Sequence, residues 1–135
     1  MDEVLLEKSK IIERCVIRIH SLYQHHENQI DTDFDRQDAL VLNILRACEA
    51  SIDGAMHLAR TRKLGLPSTA AESFALVAEK GLINSELATE LQNMVGFRNI
   101  AVHSYQSMNL TVLHLIAREK HKDLSRWASK LIELA

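Results

Sequence analysis

Three features predict an all-α fold, an up-and-down helical bundle of four long helices plus a short one. Apolar residues recur at helical spacing through most of the chain. No stretch alternates apolar and polar residues as a half-buried strand would, and one Pro with four Gly in 135 residues leaves few places to break a helix. A chain of this length builds one core, so residues 1–135 read as a single domain. With three Phe, two Tyr and one Trp, that core must be made mainly of Leu, Ile, Val, Ala and Met.

The first helix is predicted from about Asp2 to Glu27. Val4, Leu5, Ile11, Ile12, Cys15, Ile19, Leu22 and Tyr23 form its apolar stripe, interrupted by Lys8, while Glu7, Lys10, Glu13, Arg14 and Arg18 face away. Asn28 to Asp35 is polar and acidic and reads as a loop. Asp31, Asp33 and Asp35 imitate the start of a calcium loop, but Arg36 replaces the required Gly and Leu42 stands where the bidentate Glu belongs. Asp33 or Asp35 is therefore read as the N-cap of the next helix.

From Arg36 to Arg60, Leu42, Leu45, Cys48, Ile52, Ala55, Met56 and Ala59 make a second stripe, widened by Val41 and Ile44. So wide a face suits the central helix of a bundle. Gly54 inside it costs up to about 1 kcal/mol against Ala, which points to close packing of its backbone. Gly65 and Pro67 end the helix. Thr69 and Glu72 have the spacing of a capping box for a short helix through Lys80, stopped by Gly81. Asn84 or Ser85 then caps a helix whose apolar face carries Leu87, Leu91, Met94 and Val95. The last helix, about Asn109 to Leu134, repeats the pattern through Val112, Leu113, Leu115, Ile116, Leu124, Trp127, Leu131 and Ile132.

Composition narrows the function classes. A net charge of −2 and a pI near 6.4 argue against a broad electrostatic footprint on nucleic acid, so any RNA contact must be local. Basic residues gather mildly at Arg60, Arg62 and Lys63 and from Arg118 to Lys130, where Glu119 and Asp123 dilute them into a solvated face. Cys15 and Cys48 lie far apart on apolar stripes and read as buried, reduced thiols. His20, His25, His26, His57, His114 and His121 offer no metal-binding spacing and read as surface residues; no metal or cofactor is expected. The N-terminus lacks a secretory pattern and no apolar run approaches membrane-spanning length, which predicts a cytoplasmic protein.

Chemistry concentrates in Arg98-Asn99-Ile100-Ala101-Val102-His103-Ser104-Tyr105. An Arg forks hydrogen bonds onto phosphate oxygens, and a His moves protons near neutral pH, a pairing suited to phosphoryl transfer. The same spacing occurs in helical proteins with no catalytic role. Asn99 could equally cap or tether the local backbone, and Tyr105 could be an amphipathic residue at the edge of the core. In a continuous helix Arg98 and His103 project about 140° apart, because five residues advance about 500°. Either the helix bends or a second copy of the chain completes the site.

The segment RNIAVHSY resembles the signature of the HEPN superfamily of prokaryotic ribonucleases: an Arg followed by a polar residue, a short spacer and a His. Arg, four residues, His, one residue and Tyr is similar to the HepT-like toxin branch, encoded beside a minimal nucleotidyltransferase (MNT) antitoxin. LNILRACEASIDGAMHLAR and LQNMVGFRNIAVHSY extend the likeness over essentially the whole chain. Ser104, between His and Tyr, stands at a position where family members are expected to vary.

The resemblance implies a HEPN-like homodimer whose two motifs line one cleft, and metal-independent cleavage of RNA by its own 2′-hydroxyl, which DNA lacks. His103 would act as general base or acid, Arg98 would clamp the phosphate, and Asn99 would support them from within the site. Tyr105 would accept AMP from the antitoxin, which inactivates the toxin. Two other readings stay open: a non-catalytic HEPN subunit that presents bound nucleotide or RNA to a nucleotidyltransferase, and a helical interaction protein whose motif supports a dimer interface.

Overall fold

Apolar stripes at helical spacing have no stable place except against one another, and here they close into one contiguous cluster of 34 buried residues. The computed structural model describes all of residues 1–135. It consists of α1 (Glu3–Tyr23), α2 (Phe34–Thr61), α3 (Ala70–Glu79), α4 (Ser85–His103), α5 (Leu110–Leu115) and α6 (His121–Leu134), with no strand. A π-helical stretch, Ile116–Lys120, joins α5 to α6, and the backbone stays in the right-handed helical region across both junctions. The two therefore make one long rod, and the expected count of four long helices and one short one holds.

The caps follow from short polar side chains at the helix starts. Asp2 accepts hydrogen bonds from the Val4 and Leu5 amides, Asp33 from Arg36, Asn84 from Leu87, and Asn109 from Thr111 and Val112. The expected capping box at α3 is displaced by one residue. Thr69 Oγ1 accepts from the Glu72 amide at 3.1 Å, but the Glu72 carboxylate turns to the amide and hydroxyl of Ser68. Gly81, at φ +74°, supplies the left-handed residue that stops α3.

Two expectations need correction. α1 ends at Tyr23 rather than near Glu27, because Gln24 is extended and His25 sits at φ +67°. The buried Tyr23 ring is also pinned there, its hydroxyl 2.7 Å from His114 Nδ1. The histidines are not all on the surface: His121 is buried, and His57 and His114 are half-buried, each within 2.8 Å of an aspartate oxygen.

Long-range contacts set the directions of the helices. The Asp2 amide donates to the Ala135 carbonyl, so α1 begins where α6 ends. His57 near the close of α2 reaches Asp2, and Arg62 just beyond it donates to the Leu134 carbonyl. α2 thus runs antiparallel to α1 and parallel to α6. It buries 14 of its 28 residues and packs on α1, α3, α4 and α6, the central position its wide stripe predicts. A Cβ built on Gly54 would come within 3.0 Å of Leu131 Cδ1, so this glycine lets α2 and α6 approach closely.

Trp127 of α6 is fully buried, donates from Nε1 to the Ser51 carbonyl at 3.1 Å and meets Phe74 edge-on at 5.8 Å. Both cysteines are buried and free. No helix is long and apolar enough to cross a membrane. At one end of the bundle the close of α1, the start of α2, the close of α4 and the start of α5 meet, joined by hydrogen bonds from Tyr23 to His114, His114 to Asp31 and Tyr105 to Asp38.

Candidate functional site

α4 carries the motif because Leu87, Leu91, Met94, Val95, Phe97 and Ala101 bury one side of it. The residues between them are forced outward by helical periodicity. The helix is unbroken through His103, so Arg98 and His103, five residues apart on it, project to different faces. Arg98 lies half-buried on the side facing α2. Asn99 and His103, four residues apart and therefore neighbours on one face, are exposed, and neither side chain has a hydrogen-bond partner in the chain. Tyr105 opens a single 3-10 turn, Tyr105–Ser107, just past the helix end.

α2 braces both ends of the motif. Arg98 Nε lies 3.3 Å from Glu49 Oε1, close enough to pair charges but not aligned as a hydrogen bond, so this buried N–H has no acceptor. Eleven residues earlier on α2, Asp38 accepts a hydrogen bond from the Tyr105 hydroxyl. Eleven residues are about three helical turns, so Asp38 and Glu49 share one face of α2, opposite the antiparallel α4. Beneath them burial pushes the Cys48 thiol up to about 12, with the Arg98 guanidinium pulling weakly the other way. The thiol is inert where the arginine is poised.

Around these groups the surface is apolar. Ile100 and Val102 on α4 are about half exposed, at 49% and 54%, and Val102 edges a groove of about 410 Å³ with Ile11, Leu42 and Leu45. A second groove, of about 470 Å³, opens beside Tyr105 and is lined by Asp31, Phe34, Asp38, Gln106 and Met108 among others. Burial and then the Asp38 hydrogen bond and charge push the Tyr105 phenol up to about 12.

Along the last helix, basic side chains pair with acidic ones. Lys120 pairs with Glu90, Arg126 with Glu86 and Asp123, and Lys130 with Glu133, which makes the basic stretch of α6 the diluted face expected of it. No three His, Cys, Asp or Glu side chains converge as metal ligands would. Sequence reading missed Asp38 and Glu49. Their eleven-residue spacing was visible, but nothing local says which helix that face meets.

A bundle of four long helices that presents Arg98, Asn99, His103 and Tyr105 at the end of its fourth helix defines a HEPN-type helical domain. The model of the family described as ribonuclease HepT-like matches residues 12–131, and the chain belongs to that family. It is 39% identical to the mRNA nuclease HepT of Shewanella oneidensis over 127 residues, 94% of this chain and 95% of the relative. A tri-AMPylated HEPN toxin of Shewanella oneidensis, solved in complex with an MNT antitoxin, superposes over the whole of both chains with a TM-score of 0.92 at 37% identity. A toxin–antitoxin complex with AMP-PNP matches 97% of this chain and 99% of its own, with a TM-score of 0.91 at 37% identity.

Proposed function

We propose that this chain is the toxin of a toxin–antitoxin pair, a metal-independent endoribonuclease of the cytoplasm that acts as one domain and is silenced when a cognate MNT nucleotidyltransferase attaches AMP to Tyr105. One observation carries the reading. In a member of the HepT-like family, a cation braced from behind and an unpartnered imidazole stand together at an exposed helix end. Glu49 meets Arg98 at its Nε edge alone, and no neighbour takes the terminal guanidinium N–H groups or the His103 imidazole, which leaves these donors for something outside the chain.

Arg98 and His103 sit on different faces of one continuous helix, which favours a homodimer with two motifs around one cleft. The exposed Ile100, Val102 and Leu42 supply apolar surface for such a contact. In the cleft Arg98 clamps the phosphate, with Glu49 holding its inner edge. His103 takes the proton of the RNA 2′-hydroxyl or returns one to the leaving 5′-oxygen, leaving a cyclic phosphate, and Asn99 steadies the imidazole or the phosphate between them. AMP on Tyr105, two residues beyond His103, adds a negative phosphate and a bulky base at the cleft mouth and repels RNA.

The test is cleavage of a defined RNA in EDTA by the unmodified chain, beside His103→Ala and Arg98→Ala. Cutting with a cyclic phosphate product, lost in both variants, is the expected result. A parent chain that binds RNA without turnover would replace this reading with the non-catalytic one. For the acceptor, intact-mass analysis after incubation with the antitoxin, Mg²⁺ and ATP should show adenylate on the parent and none on Tyr105→Phe.

A further inference from the structure

We propose that Asp38 is the catalytic base for AMP transfer to Tyr105, so that the toxin supplies part of the chemistry of its own inactivation. The inference rests on Tyr105 as the acceptor. Its ground is the hydrogen bond from the Tyr105 hydroxyl to Asp38 Oδ1, at the mouth of an open groove of about 470 Å³.

Asp38 is exposed, makes no ion pair, and has the phenol as its hydrogen-bond donor. Asp31, the other carboxylate lining the groove, is already engaged 2.8 Å from His114 Nε2. No Lys or Arg lines the groove. A carboxylate spent on holding structure is commonly matched by a cation or by backbone amides, as Asp33 is by Arg36 and Asp2 by the amides of α1. Asp38 has neither partner.

The phenol needs such a base. With its pKa raised to about 12, phenolate is only about 10⁻⁵ of the population at neutral pH. The proton must therefore leave as the new bond forms. Tyr105 Oη attacks the α-phosphorus of ATP, the Oη–P bond forms, the bond from that phosphorus to the bridging oxygen breaks and pyrophosphate departs. The phenolic proton passes to Asp38 Oδ1 and from there to water. Afterwards the ester oxygen has no proton to donate and carries a phosphate beside a carboxylate. The bond that holds Tyr105 against α2 is lost, and repulsion drives the modified turn outward.

The experiment is the rate of adenylate incorporation by intact mass, using the full chain with its cognate nucleotidyltransferase, ATP and Mg²⁺ between pH 7 and 9. Parent, Asp38→Asn, Asp38→Glu and Tyr105→Phe are compared, with circular dichroism and copurification with the antitoxin checking the fold of each. Asp38→Asn is expected to slow transfer at neutral pH by about 10²-fold or more, the usual weight of a general base. Its rate should climb with pH as phenolate becomes available, while the parent's stays nearly flat; Asp38→Glu should recover part of the loss. A variant with the parent's rate and profile overturns the assignment and leaves the acceptor in place. A slow variant with a flat profile overturns it too, since Asp38 would then merely tether the turn. No adenylate on the parent, or equal adenylate on Tyr105→Phe, removes the acceptor reading and this inference with it.

Discussion

The packed seam of α2, α3 and α6 around Trp127 and the tip formed by His103 to Asn109 are built on opposite rules. In the seam the demands are met from within the fold: Trp127 has Phe74 beside it and the Ser51 carbonyl on its one donor, and Ser9 of α1 donates to the Ala128 carbonyl. At the tip, six consecutive residues from Val102 to Ser107 are exposed, and the His103 imidazole has no partner in the chain. A fold stabilises itself by satisfying its groups. Groups left unsatisfied on ordered backbone are available to a ligand, which is the ground for proposing the tip as the site.

The sharpest way to break the comparison is to remove chemistry from the tip and stability from the seam and ask whether the effects cross. His103→Ala and Arg98→Ala should each lower RNA cutting by about 10²–10⁴-fold. For the exposed His103 the melting temperature should stay that of the parent. A matching loss of stability in His103→Ala would show the tip to be part of the core's support. Conversely, Trp127→Ala should cost about 3–5 kcal/mol in urea unfolding, through the cavity left in the core and the lost indole hydrogen bond. At temperatures where the variant stays folded, its cutting rate should be close to the parent's.

A smaller effect comes from His121, beside the π-helical stretch. Burial first, and then His20 and Lys122, hold its imidazole below 6.5, against the pull of the Ile116 carbonyl. The unfolded chain then binds the proton more readily than the folded one, so stability is complete above about pH 6.5 and falls as the pH drops through that value. Urea midpoints at pH 8, 6 and 5 should decline less in His121→Gln than in the parent; an identical decline would assign the loss to other groups. The smallest effect is an absence. Cys15 and Cys48 are buried and burial raises both thiols, Cys48 to about 12, so neither should react with a thiol reagent until the chain unfolds. A fast Cys48 thiol in native protein would mean that the α2–α4 seam opens beneath Arg98.

Much of this was legible in the chain because its causes are local. The stripes of α1, α2 and α4, the caps at Asp33, Thr69 and Asn84, and the stop at Gly81 each depend on residues within four positions of one another, which a linear reading sees directly. The wide stripe of α2 announced its central place, and Gly54 its close approach to another helix. The motif's position followed too, since Arg98, His103 and Tyr105 are neighbours in sequence.

What only the tertiary structure decided involves partners far apart in the chain. The sequence does not say that Asp38 meets Tyr105 or Glu49 meets Arg98, because each pairing requires knowing which face of α2 lies against α4 and in which direction. The burial of His121 and the early end of α1 at Tyr23 are of the same kind. Both depend on an element from the other end of the chain closing over them, an outcome of packing rather than of helical spacing. The amino-acid pattern therefore determined the helices and where the motif residues lie along them. Packing alone determined which of those residues are braced, which are free, and which carboxylate stands beside the tyrosine.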